Sequence, residues 1–133
     1  MKPVHFEDLP VAVQVQLVAG GAFLFGLVCG FVVSEGKTGW IILQLIAAVG
    51  GFLAGLDHGG PRDGALRGLA GGFLFGLGIV IADAVTDKAP VAEVPEPIGL
   101  LIIITTVLGA GLGALGGLVG RRIRAREADT HVA

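Results

Sequence analysis

The chain has 133 residues, 53% of them hydrophobic and only 15% charged, with a mean hydropathy of +0.85. Charge this sparse cannot cover an ordinary soluble surface, so composition places the chain in lipid as a single membrane domain. A net charge of −2 is too small to argue for a nucleic-acid partner, and the single Cys29 excludes both an intrachain disulfide and a cysteine-rich metal cluster.

Residues 1–10 mix Lys2 and His5 with Glu7 and Asp8, so they lack the basic head of a secretory signal. Residues 11–33 follow without a charge, longer than the roughly 7–15 residues of a signal-peptide core, and predict the first transmembrane helix. Gln14 and Gln16 fall in its first turns, within reach of the interface. Ala22, Gly26 and Gly30 recur every fourth residue, the spacing that lets membrane helices approach closely. Cys29, inside this apolar run, reads as a small buried hydrophobe and not as a reactive thiol.

SEGKTG at 34–39 is a polar turn, and Trp40 stands where amphipathic aromatics anchor at a membrane surface. Residues 40–56 predict a second, short helix with Ala47, Gly51 and Gly55 in the same small-residue spacing. Gln44 is its one polar side chain, and a hydrogen bond to a neighbouring helix is the expected use of a mid-membrane amide.

DHGGPRD at 57–63 is a turn by composition, because Gly59, Gly60 and Pro61 do not continue a helix comfortably. Asp57, His58, Arg62 and Asp63 would make a metal or anion site only if their side chains converged. Their spacing matches no ligand pattern, so the reading is a solvated interfacial turn with no metal and no cofactor.

Residues 64–82 predict the third helix, about 28 Å long, close to the ~30 Å hydrocarbon core. Gly64, Gly68, Gly72 and Gly76 form a stripe along it. Leu66, Leu69, Phe73, Leu77 and Val80 cluster elsewhere on the cylinder, which proposes a glycine face toward protein and a bulky face toward lipid. Arg67 is expected to snorkel from the first turn.

The run at 50–72, GGFLAGLDHGGPRDGALRGLAGG, with its GGPRDG core and following G-x-x-x-G, resembles a family of short archaeal membrane proteins. That family is best represented in halophiles and is of unknown function. The resemblance implies a polytopic four-helix membrane fold and an archaeal source; it brings no activity, cofactor or site residue.

Residues 83–97 carry Asp83, Asp87, Lys88, Glu93 and Glu96 among Pro90, Pro95 and Pro97, and read as a solvated, partly extended connection. Residues 98–120 predict the fourth helix, with Gly109, Gly113 and Gly117 in a stripe and Gly116 and Gly120 offset from it. Thr105 and Thr106 are expected to bond back to their own helix carbonyls. Arg121, Arg122, Arg124 and Arg126 open a basic tail at 121–133 and are expected to meet anionic lipid headgroups, with the polar part from Glu127 expected to be loosely ordered. A nucleic-acid role for it is set aside, since four arginines beside a span are explained by topology.

The fold expected is thus an all-α, glycine-rich four-helix membrane bundle. AGGAFLFGL at 19–27 and AGGFLFGL at 70–77 differ by one inserted alanine, the trace that duplication of a two-helix hairpin would leave. GGFLAGL at 50–56, in a helix of opposite direction, leaves shared composition as the other explanation. Two functional classes follow. One is a structural or assembly protein that packs through its glycine stripes with itself or with a larger membrane complex; the other is a minimal oligomeric channel or transporter for a small solute. An enzyme is not expected, because no nucleophile, base and orienting partner fall together near one membrane face.

Four spans put Lys2, Arg62, Arg67, Arg121, Arg122, Arg124 and Arg126 on one side, against Lys37 and Lys88 on the other. By the positive-inside rule both termini face the cytoplasm of a cell membrane. Single cysteines at Thr38, Lys88 and Thr130, in a Cys29→Ser background, test this with an impermeant thiol reagent on intact cells. Thr38 and Lys88 should label and Thr130 should not; the inverse pattern reverses the orientation.

Overall fold

The computed structural model describes residues 8–132, and every regular element within them is a helix. These are α1 (Val11–Val32), α2 (Lys37–Leu56), α3 (Pro61–Val85) and α4 (Leu100–Val132). All four are long and apolar enough to cross a membrane. Lys2, counted above among the basic residues, lies outside the described residues.

Several boundaries differ from those predicted, each for a local reason. α3 starts at Pro61, because proline at the first helical position loses only an N–H that would be unsatisfied there, and Asp63 in the first turn suits the positive end of the helix dipole. The residue that reads as a breaker is the initiator. α2 starts at Lys37, one turn before Trp40, after the extended Gly36. The tail from Glu127 is not loosely ordered up to Val132: RRIRAREADT contains neither Gly nor Pro and is rich in good helix formers, so α4 runs on for 33 residues, about 50 Å.

The helices alternate in direction, and α3 is the hub, touching all three others while α1 and α4 hardly meet. α3 and α4 lie antiparallel and interlock backbone to backbone. Gly64 sits on the carbonyl of Gly113 and Gly113 on that of Gly64; Gly68 and Gly109 repeat the exchange, and Gly72 lies on the carbonyl of Thr105. A Cβ on Gly72 would stand 2.9 Å from the Thr105 carbonyl carbon and 3.1 Å from the Thr106 Cα, both backbone atoms that cannot turn aside. Such approaches leave Cα–H groups facing carbonyl oxygens, a recurring weak attraction at helix interfaces.

A second set of close approaches joins parallel helices. Gly26 and Gly30 of α1 meet the backbones of Phe75 and Ile79, while Gly78 of α3 returns the contact at Phe23. On the other flank Gly55 of α2 meets Gly113, and Gly116 and Gly120 of α4 meet the carbonyls of Phe52 and Leu56. The bulky residues of α3 turn outward as expected at Leu66, Leu69 and Phe73, which are exposed, and Leu77 and Val80 are half-buried.

The two ends of the bundle differ. At the end holding the 34–36 turn, a closed core gathers Cys29, Val33, Trp40, Phe75, Ile79, Ala92 and Leu101. Trp40 is buried in it and does not face outward as a surface anchor. The 86–99 connection is not simply solvated: Ala92 enters this core, and the amides of Val91 and Ala92 donate to the Val33 carbonyl, at 2.9 and 3.4 Å, ending α1. Lys88–Glu35 and Lys37–Glu93 pair across the same end, though such exposed pairs contribute little.

These contacts separate two neighbouring glycines. Gly72→Leu should lower the melting temperature in detergent, since forcing a side chain into a close-packed interface costs about 1–3 kcal/mol or more. Gly71, with no atom within 4 Å of a Cβ placed on it, should accept leucine without loss, as should Leu69→Ile on the outer face. Matched melts of the three variants check this; equal behaviour would mean the stripe carries no packing energy.

Candidate functional site

At the opposite end, where α1 begins and α2 ends, the first two helices part. They share the 34–36 turn and diverge from it, and between them lies a crevice of about 420 Å³. α1 contributes Leu17, Gly21 and Phe25; α2 contributes Gln44, Ala47 and Gly50; α3 forms the floor with Arg67, Gly71 and Phe75; Thr105 and Leu112 of α4 complete it. On α2 the lining runs from Ala54 to Gln44, about 15 Å, or half the hydrocarbon thickness. The crevice is therefore confined to one half of the bundle.

Its walls follow from where the glycines are spent. Gly26 and Gly30 hold α1 against α3, and Gly55 holds α2 against α4, so beyond the turn, where Gly39 meets Val32, no glycine brings these two helices together. Gly20, Gly21, Gly50 and Gly71 have no atom within 4 Å of a Cβ position, and Gly51 meets only Leu112, at 3.9 Å. Gly51, predicted to be a packing glycine, thus lines the crevice instead. The others predicted in that role, Gly26, Gly30, Gly55, Gly64, Gly68, Gly72, Gly76, Gly109, Gly113 and Gly117, each lie within close reach of a neighbouring helix. Gly78, Gly116 and Gly120 join them; the four-residue spacing of the last pair was a visible signal.

Two polar side chains enter the crevice. The Gln44 Nε2 is fully buried and makes no hydrogen bond, contrary to the interhelical bond expected of it. A buried donor without an acceptor costs about 1–3 kcal/mol. Arg67 lies in the second turn of α3, not the first, and lines the crevice. At the deep end Phe25 and Phe75 stack, with ring centroids 6.0 Å apart and planes at 25°. Thr105 and Thr106 bond back to helix carbonyls as expected, Thr105 at 2.7 Å to Leu101.

The charged turn at 57–63 does not converge on a metal site; no group of three or more candidate ligands occurs among the described residues. What it does receive is Arg124. That guanidinium donates to the carbonyls of Leu56, at 3.3 Å, and of His58, and so satisfies acceptors left open where α2 ends, while its charge opposes the negative end of the dipole. Arg121, Arg122 and Arg126 are exposed on the continuing helix.

Arg124→Ala should therefore loosen the last turn of α2. The loss of about 1 kcal/mol would raise amide exchange at Gly55 and Leu56 roughly fivefold, while Arg122→Ala leaves it unchanged. Hydrogen exchange read by mass spectrometry checks the pair, and equal exchange in both would deny Arg124 its capping role. Comparison of the chain with family models, with curated proteins and with solved structures returned no match.

Proposed function

We propose that this multi-pass membrane protein is a non-enzymatic structural or assembly protein of the cell membrane. Both termini face the cytoplasm, and the chain associates with itself or with a larger membrane complex. The observation that carries this reading is the projection of α4. Beyond its last glycine contact, at Gly120 on Leu56, the helix continues through Val132, about 18 Å, with every described residue from Arg121 onward exposed.

Its root is held on two sides, by Gly117 against Gly60 and by Arg124 against the end of α2. A helix fixed at its base and covered by nothing along its length suits a connector. Its arginines lie near the membrane, where anionic headgroups attract them, and Glu127 and Asp129 lie farther out, where a partner of mixed charge would meet them. The glycine stripes, by contrast, are occupied within the chain, so association falls to this projection and to the outer aliphatic faces.

The alternative, a minimal oligomeric channel or transporter, draws on the crevice. That crevice ends against Phe75 and the closed core beyond it, so a path would have to run between copies.

Truncation after Arg126 keeps the Arg124 cap and removes the outer helix. In mild detergent, light scattering on a sizing column should give an assembly for the full chain and a smaller species for the truncated one, with melting temperatures alike. A full chain that is monomeric in detergent and in nanodiscs, and captures nothing on cross-linking in native membranes, overturns the proposal.

A further inference from the structure

Independently of the assembly reading, the geometry points to the crevice as a binding site for a lipid-soluble, planar carbonyl compound of the quinone class. At about 420 Å³ it falls within the ~300–1,000 Å³ typical of small-molecule sites, and its lining has their character: apolar walls with few polar groups. Leu17 and Ile46, at its edges, are 54% and 53% exposed, so a molecule dissolved in the bilayer reaches it sideways.

Three features choose the occupant. The walls are flat, because Gly21, Gly50 and Gly71 leave open space where side chains would stand, and a slot between flat walls favours a plate over a branched chain. The deep end offers an aromatic pair, Phe25 and Phe75, on which a ring stacks. At the same depth Gln44 lines the crevice, and its enclosed Nε2, without an acceptor, reaches an incoming one by a turn of the side chain. An acyl chain carries no acceptor about 15 Å into the hydrocarbon region, and an anionic headgroup is costly to bring there. A neutral carbonyl oxygen on a ring meets the amide at that depth without charge.

The chain carries its own probe. Trp40 is its only tryptophan and sits in the core against which Phe25 packs, so a quinone held in the crevice would quench its fluorescence. A decyl-substituted benzoquinone titrated into the detergent-solubilised full chain should quench it along a saturable curve. Gln44→Leu should weaken the midpoint by about tenfold, the worth of one hydrogen bond to a buried donor. Gly71→Leu, which fills the slot, should abolish saturation while the melting temperature holds; should that variant melt early, Gln44→Leu alone decides. Leu53→Ala, on the exposed face of α2, should bind as the unaltered chain does. Quenching that is linear and alike in all four proteins, as for a free tryptophan analogue in the same micelles, overturns the proposal. Displacement of the quinone by an equal concentration of phosphatidylglycerol overturns it too, and gives the crevice to membrane lipid.

Discussion

The approach of α3 to α4 at backbone distance is the contact on which the rest of the bundle depends. Inside a bilayer, lipid tails are as apolar as leucine, so helices gain little by hiding hydrophobic side chains from them. Association must come from close packing and from weak polar contacts that need short distances. The reciprocal seating of Gly64 with Gly113 and Gly68 with Gly109 provides both. In water each interior glycine would cost about 1 kcal/mol of helix stability, but in lipid an unfolded backbone has no water to bond, and the helix persists.

From that pair the other two helices take their places. α3 offers a second glycine, Gly78, on another side, and α1 docks there; α4 offers Gly116 and Gly120, and α2 docks there. α1 and α2 are therefore set apart by the width of the pair between them, although only four residues, 33–36, join them. Near that turn the space is filled by Trp40, Cys29, Ile79 and the inserted Ala92. Away from it nothing in the described residues fills the gap, and the crevice is the result. The two helical hairpins thus differ in form, one interlocked and one splayed. The repeated strings do meet in space, since Phe25 and Phe75, equivalent positions in the FLFG motif, stack on each other.

The polar groups divide between the ends in a way that supports the same frame. The 34–36 turn and the 86–99 connection close one end through the Val33 carbonyl and two exposed ion pairs. At the other, Arg124 joins the last helix to the end of the second, and α4 leaves the bundle as a single rod. The bundle thus has two distinct surfaces on the same side, an open crevice in one half and an exposed helix that projects beyond it.

Local pattern alone determined that four apolar helices would form, that glycines at a spacing of four would make their packing faces, and that Lys37 and Lys88 would share an end. Those features depend on hydropathy and helical period, which are properties of neighbouring residues. Pro61 and the tail were misjudged at the same local level: a proline was taken for part of a turn where it begins a helix, and the polar end from Glu127 was taken for loose order where propensity carries the helix on. Which glycine faces meet is another matter, because Gly51 has the same spacing as Gly55 yet lines the crevice, touching only the Leu112 side chain, while Gly55 meets the backbone of Gly113. Only the tertiary arrangement decides that, and with it the exposure of Gly71, the unmet amide of Gln44 and the turning of Arg67 into the crevice. Each of these depends on how far apart two helices are held by a third, a distance set by contacts remote in the chain.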